Sequence, residues 1–207
     1  MSAPRASGRF VVLEGGEGTG KSTQARALAS RLRASGREVV ETFEPGATSL
    51  GRELRALLLH HEGPLEPRAE LLLLLTDRAQ HVREVIAPAL ERGADVVSDR
   101  YAPSTLAYQG VARGLGVGEV ARASRWAAGD VEPDLVVVLD VPAATALERG
   151  ASGRDRFERA GAEFDARVRA AYRDLARANG WPLLDASGAP DEVTAAIWTL
   201  VAPLVGD

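Results

Sequence analysis

Cysteine is missing from all 207 residues, which rules out a disulfide framework and any thiolate metal site. Such a chain suits a reducing compartment, and the expected location is the cytoplasm. Long apolar runs are missing too, so no segment can span a bilayer as a helix. Residues 1–8 lack the apolar core of a signal peptide and read as a frayed tail. There is no excess of positive charge. With a formal net charge of -4 the chain is a poor partner for DNA or RNA, whose phosphates call for a basic surface. Internal repeats are absent as well. The 45% of hydrophobic residues is enough for a full core, so residues 9–207 are expected to form one domain.

What the chain does have is alternation. Strand-like runs at 10–14, 38–43, 95–98, 135–140 and 182–185 are separated by helix-like stretches at 22–35, 50–60, 68–92, 103–111, 118–127, 142–149, 162–179 and 190–205. Several strands are unbroken Val/Leu runs, the mark of a parallel sheet covered on both faces. The expected fold is therefore a three-layer α/β arrangement, with ligands at the carboxyl ends of the strands. Gly36 and Gly93 fall where helix C-caps belong, Pro190 suits a first turn, and Pro88 should kink its helix.

The segment Gly15-Gly16-Glu17-Gly18-Thr19-Gly20-Lys21-Ser22 fits the phosphate-loop pattern G-x-x-x-x-G-K-[ST] between a strand and a helix. In that setting successive backbone N–H groups and the helix N-terminus surround a polyphosphate. Lys21 would reach the outer phosphates, Ser22 would put its hydroxyl on Mg²⁺, and Thr23 follows in the first helical turn. Asp99, just past the third strand, is a second candidate for the metal, and Arg100 could fork onto another phosphate. Asp140 competes for the metal role or caps the helix after it. Residues 149–161, rich in Gly and Arg, read as a charged surface loop or as a lid closing over phosphates.

One ordered set of segments is more specific. The phosphate loop, Glu44-Pro45-Gly46-Ala47-Thr48, Asp77-Arg78-Ala79-Gln80-His81, Asp99-Arg100-Tyr101, Leu106-Ala107-Tyr108-Gln109-Gly110, Pro133-Asp134-Leu135 and Asp155-Arg156-Phe157-Glu158 together resemble the bacterial thymidylate kinases. The resemblance implies a P-loop kinase fold with a five-stranded parallel sheet and a short Arg-rich lid. It implies transfer of the γ-phosphoryl group of ATP to dTMP, with Mg²⁺, toward dTTP synthesis, and it implies a homodimer. Carried over residue by residue, Glu17 meets the acceptor sugar and helps order the metal, and Arg100 takes the acceptor phosphate. Arg78 reaches the thymine, Tyr108 packs on the deoxyribose, and Thr105 and Gln109 line the pocket. The catalytic arginine comes from the lid, with Arg149, Arg154 and Arg156 as candidates. Two positions depart from the pattern: Phe43 stands where arginine is usual, and Leu74 where a stacking phenylalanine is usual. They leave open a kinase for dUMP or a modified pyrimidine nucleotide. A nucleotide-dependent switch protein is the reading from another class.

Overall fold

The computed structural model describes residues 8–149, 156 and 161–206. Five strands form one parallel sheet in the order β2-β3-β1-β4-β5. They are β1 (Phe10–Glu14), β2 (Val39–Phe43), β3 (Asp95–Asp99), β4 (Leu135–Asp140) and β5 (Leu183–Asp185). β1 lies at the centre and is buried throughout. Its alternate side chains feed two cores. Phe10 and Val12 point into one with Val96, Val136 and Val138; Val11 and Leu13 point into the other with Val97, Val137 and Leu139. That two-sided burial explains why the strands are continuous apolar runs.

Helices α1 (Lys21–Ala34) and α9 (Pro190–Val205) cover the second core. The first is covered by α8 (Ala162–Asn179) and by two helical stretches widened by π turns. One stretch runs through α3 (Pro67–His81), a π turn at Val82–Ile86 and α4 (Ala87–Glu91). The other runs through α5 (Ala102–Thr105) and a π turn at Leu106–Ala112. Remaining helices are α2 (Ser49–His60), α6 (Val117–Ala128) and α7 (Ala143–Glu148). The expected kink at Pro88 takes a different form. The Ala87 N–H bonds back to the Val82 carbonyl, and Pro88 then sits in the first turn of α4, where a missing N–H costs little. No helix among the described residues is long and apolar enough to cross a membrane.

One local expectation is corrected. Asp140 caps nothing: its carboxylate accepts from Arg173 Nε at 2.7 Å and Nη2 at 3.2 Å, and α7 has Pro142 at its N-cap with no side-chain cap. Trp126 is 84% exposed and Leu72 is 63% exposed, so neither belongs to the core. His81 is fully buried between Glu44 and Thr42.

Candidate active site

The loop between β1 and α1 requires its glycines. Gly15 has φ 138°, and a Cβ there would meet the Leu139 carbonyl oxygen at 2.2 Å. Gly18, at φ 71°, would meet the Ala146 carbonyl oxygen at 2.5 Å. The loop closes on itself: Thr19 Oγ1 donates to the Gly16 carbonyl at 3.0 Å and Lys21 Nζ to the same oxygen at 2.7 Å. Burial, and after it the nearby Arg100 charge, lowers the pKa of the Lys21 ammonium. Ser22 Oγ donates to Asp99 Oδ2 at 2.5 Å, because β3 lies directly beside β1. The other oxygen, Asp99 Oδ1, is buried with no partner among the described residues. A hydroxyl next to a carboxylate with one orphaned oxygen is the donor set a hard cation takes.

Arg100 follows at φ 74°, a left-handed backbone rarely adopted outside glycine. Two bonds fix it: its N–H donates to the Leu13 carbonyl at 3.0 Å, and Ser98 Oγ donates to its carbonyl at 2.7 Å. Nη1 spans the Gly15 carbonyl (3.2 Å), Ser104 Oγ (3.1 Å) and Tyr172 OH (3.1 Å), and Nη2 pairs with Glu17. The Arg100 charge, against the opposing effect of burial, holds the Glu17 carboxyl down at about 2. Tyr108 OH also donates to Glu17 Oε1, at 3.2 Å. Glu17 is therefore held by Arg100 and Tyr108.

From these groups a cavity of about 510 Å³ runs past Phe43 and Glu44 to Leu74, Arg78, Thr105 and Gln109. That volume suits a small organic ligand. Arg78 is only 2% exposed and is held by Glu44 Oε2 (2.7 and 3.0 Å), Thr105 Oγ1 (2.9 Å) and Ser124 Oγ (3.3 Å). Gln109 donates to Glu70 Oε1 at 2.7 Å. Phe43 and Leu74 both line the cavity, and Arg55 lies over the Phe43 ring at 5.7 Å. A second cavity of about 380 Å³ lies on the outer side of the loop, lined by Gly18, Lys21, Thr23 and Arg149 among others.

Asp77, beside Arg78, gives a test of this wall. Its Oδ1 accepts the Gly46 N–H at 3.0 Å, while Oδ2 is buried without a partner among the described residues. Burial, and next the Glu44 charge, push its pKa up from 3.8 to about 6. A raised acid contributes its full stability below pH 3.8 and loses it as pH climbs through about 6. The stability of the wild type relative to Asp77→Asn should therefore fall between pH 4 and 7, by up to about 3 kcal/mol. Paired thermal melts across that range test it; a flat difference would contradict the assignment.

The lid candidates separate. Arg149 lies at the outer cavity, donating to the Ala186 (2.7 Å) and Ser187 (2.9 Å) carbonyls. Arg156 is instead drawn to the α2–α3 side: Nη2 bonds Glu70 Oε2 at 2.5 Å and Nε bonds the Leu58 carbonyl at 3.0 Å. Arg154, with residues 150–155 and 157–160 of the expected lid, falls outside the described residues. Sequence reading missed Glu14, Ser104 and Tyr172, which together brace Arg100. Glu14 is fully buried and accepts from Ser104 Oγ (2.6 Å), Tyr172 OH (2.9 Å) and the Tyr101 N–H (2.8 Å). A carboxylate ending an otherwise apolar strand was the available signal for Glu14; no local pattern marks Tyr172.

The family model for thymidylate kinase matches residues 13–197. Among curated proteins, the thymidylate kinase of Leifsonia xyli subsp. xyli is 50% identical over 202 residues, covering 95% of this chain and 96% of its own. That of Clavibacter michiganensis subsp. michiganensis is 46% identical, covering 96% and 97%. One from Synechococcus sp. (strain JA-2-3B'a(2-13)) is 47% identical, covering 94% of each chain.

Proposed function

The chain belongs to the thymidylate kinase family, and from that premise we propose how its side chains divide the transfer of the γ-phosphoryl group of ATP to dTMP. The observation that carries the reading is the shared cavity, which joins the phosphate loop to a pocket sized for a nucleotide. ATP phosphates sit on the Gly15–Thr23 loop, with Lys21 on the transferring group. Ser22 and Asp99 would hold Mg²⁺, which when bound neutralises and orients phosphate oxygens. Arg100 receives the acceptor phosphate with its fork already aimed. Glu17 and Tyr108 meet the deoxyribose, and Arg78, Thr105, Gln109 and Leu74 enclose the base. A monophosphate is already anionic, so no general base is required. Of the two described lid candidates, Arg149 lies on the donor side, and residues 9–207 act as one domain.

We also infer a cytoplasmic homodimer. Leu72 and Trp126 support the dimer: these large apolar side chains stand in solvent on α3 and α6, which pack together.

Steady-state rates with dTMP and its ribose analogue, on wild type and Tyr108→Ala, test the reading. Wild type should form dTDP and ADP one for one and discriminate against ribose. The variant should lose at least tenfold of that discrimination, a ring contact being worth about 1–3 kcal/mol. Wild-type ATP hydrolysis without dTDP would overturn the function, and unchanged selectivity would overturn the sugar contact.

A further inference from the structure

Arg26 lies one helical turn beyond Ser22 on α1, so their side chains share a face with Cβ atoms about 5–6 Å apart. Both line the large cavity. Phe43 and Asp99, register partners at the ends of β2 and β3, line the same wall. Arg26 therefore overhangs the pole of the cavity that holds the hydroxyl–carboxylate pair.

Its condition differs from that of its neighbours. Lys21 is tied to the Gly16 carbonyl, and Arg100 to Glu17, Ser104 and Tyr172. Arg55 donates to the Pro45 carbonyl at 2.7 Å. Glu41, the acid on the adjoining strand, pairs with Arg33 at 3.8 Å. Arg26 alone among these cations makes no hydrogen bond or ion pair with the described residues. A solvated arginine on an outer helix face would be unremarkable. This one faces the cavity at its phosphate end, opposite the apolar Phe43.

We propose that Arg26 binds the phosphate of the acceptor nucleotide. The inference rests on the cavity being the dTMP site. Two groups of phosphates must approach each other there, and each brings negative charge. A long, unengaged guanidinium at the rim can close on the incoming monophosphate with a charge-assisted, forked bond. Arg100 meets that phosphate from the floor of the cavity and Arg26 meets it from the α1 side.

Titration calorimetry on the whole chain tests this, using dTMP, thymidine and Mg-ATP as separate ligands. The variants are Arg26→Gln, and Arg26→Gln combined with Phe43→Arg. Phe43 is 42% exposed at the strand end, so an arginine can be accommodated there. Arg26→Gln should weaken dTMP about tenfold, the worth of one charge-assisted bond at a partly solvated site, and leave thymidine affinity as it was. The double variant should recover most of the dTMP affinity, since the new guanidinium stands beside Asp99 at the same pole. Equal weakening of dTMP and thymidine would mean that Arg26 only shapes the site, and the proposal would fall. It would fall equally if dTMP binding were unchanged, or if Mg-ATP weakened in its place. A wild type that bound neither dTMP nor thymidine would overturn the acceptor reading itself, and this assignment with it.

Discussion

Lys21→Met should lower kcat by about 10²–10³, with little loss of thermal stability. The first part follows from position. A cation at the transferring phosphate acts on charge that develops in the transition state, and one such donor is typically worth about 3–4 kcal/mol. The second part follows from burial. The ammonium is only 6% exposed and its main partner is a single backbone carbonyl, so the folded chain carries the cost of desolvating it. Methionine keeps the methylene stem and removes that cost. Lys21 is also the only lysine in the chain, so an amine-directed reagent has one side-chain target. Mg-ATP should protect it. A variant retaining more than a tenth of the wild-type kcat would remove Lys21 from the phosphate; a variant that failed to fold would show that the ammonium is structural.

The second large effect belongs to Arg100. Arg100→Lys keeps the charge and loses the fork that reaches Glu17, Ser104, Tyr172 and the Gly15 carbonyl together. We expect kcat/KM for dTMP to fall by about 10² or more, while KM for ATP changes by less than threefold. The lysine ammonium, on a shorter stem, would stand farther from the Glu17 carboxylate and lose the guanidinium bond to it, so the Glu17 pKa should rise from about 2 in the variant. The backbone at φ 74° is unfavourable for lysine and arginine alike, so strain does not separate the two proteins. A fall in kcat/KM smaller than tenfold would mean that a point charge suffices and that the braced fork is incidental.

Much of this site is legible in the chain because its signals are local. The phosphate loop is eight consecutive residues, and α8 and α9 begin and end where the apolar period and caps place them. The position of Asp99 opposite Ser22 needs only the rule that β3 neighbours β1. What escaped depends on pairs far apart in sequence. Tyr172 meets Glu14 across 158 residues, and Arg156 meets Glu70 across 86. No periodicity encodes such contacts. The π turns before Pro88 and around Tyr108 also read as ordinary helix, because one inserted residue barely disturbs an apolar pattern.

Phe43 and Leu74, the two positions where the family resemblance is imperfect, both line the cavity. ADP release with Mg-ATP, measured against a panel of nucleoside monophosphates led by dTMP and dUMP, tests the account at that point. A clear preference for dTMP is the predicted result. Turnover on another monophosphate with none on dTMP would contradict it.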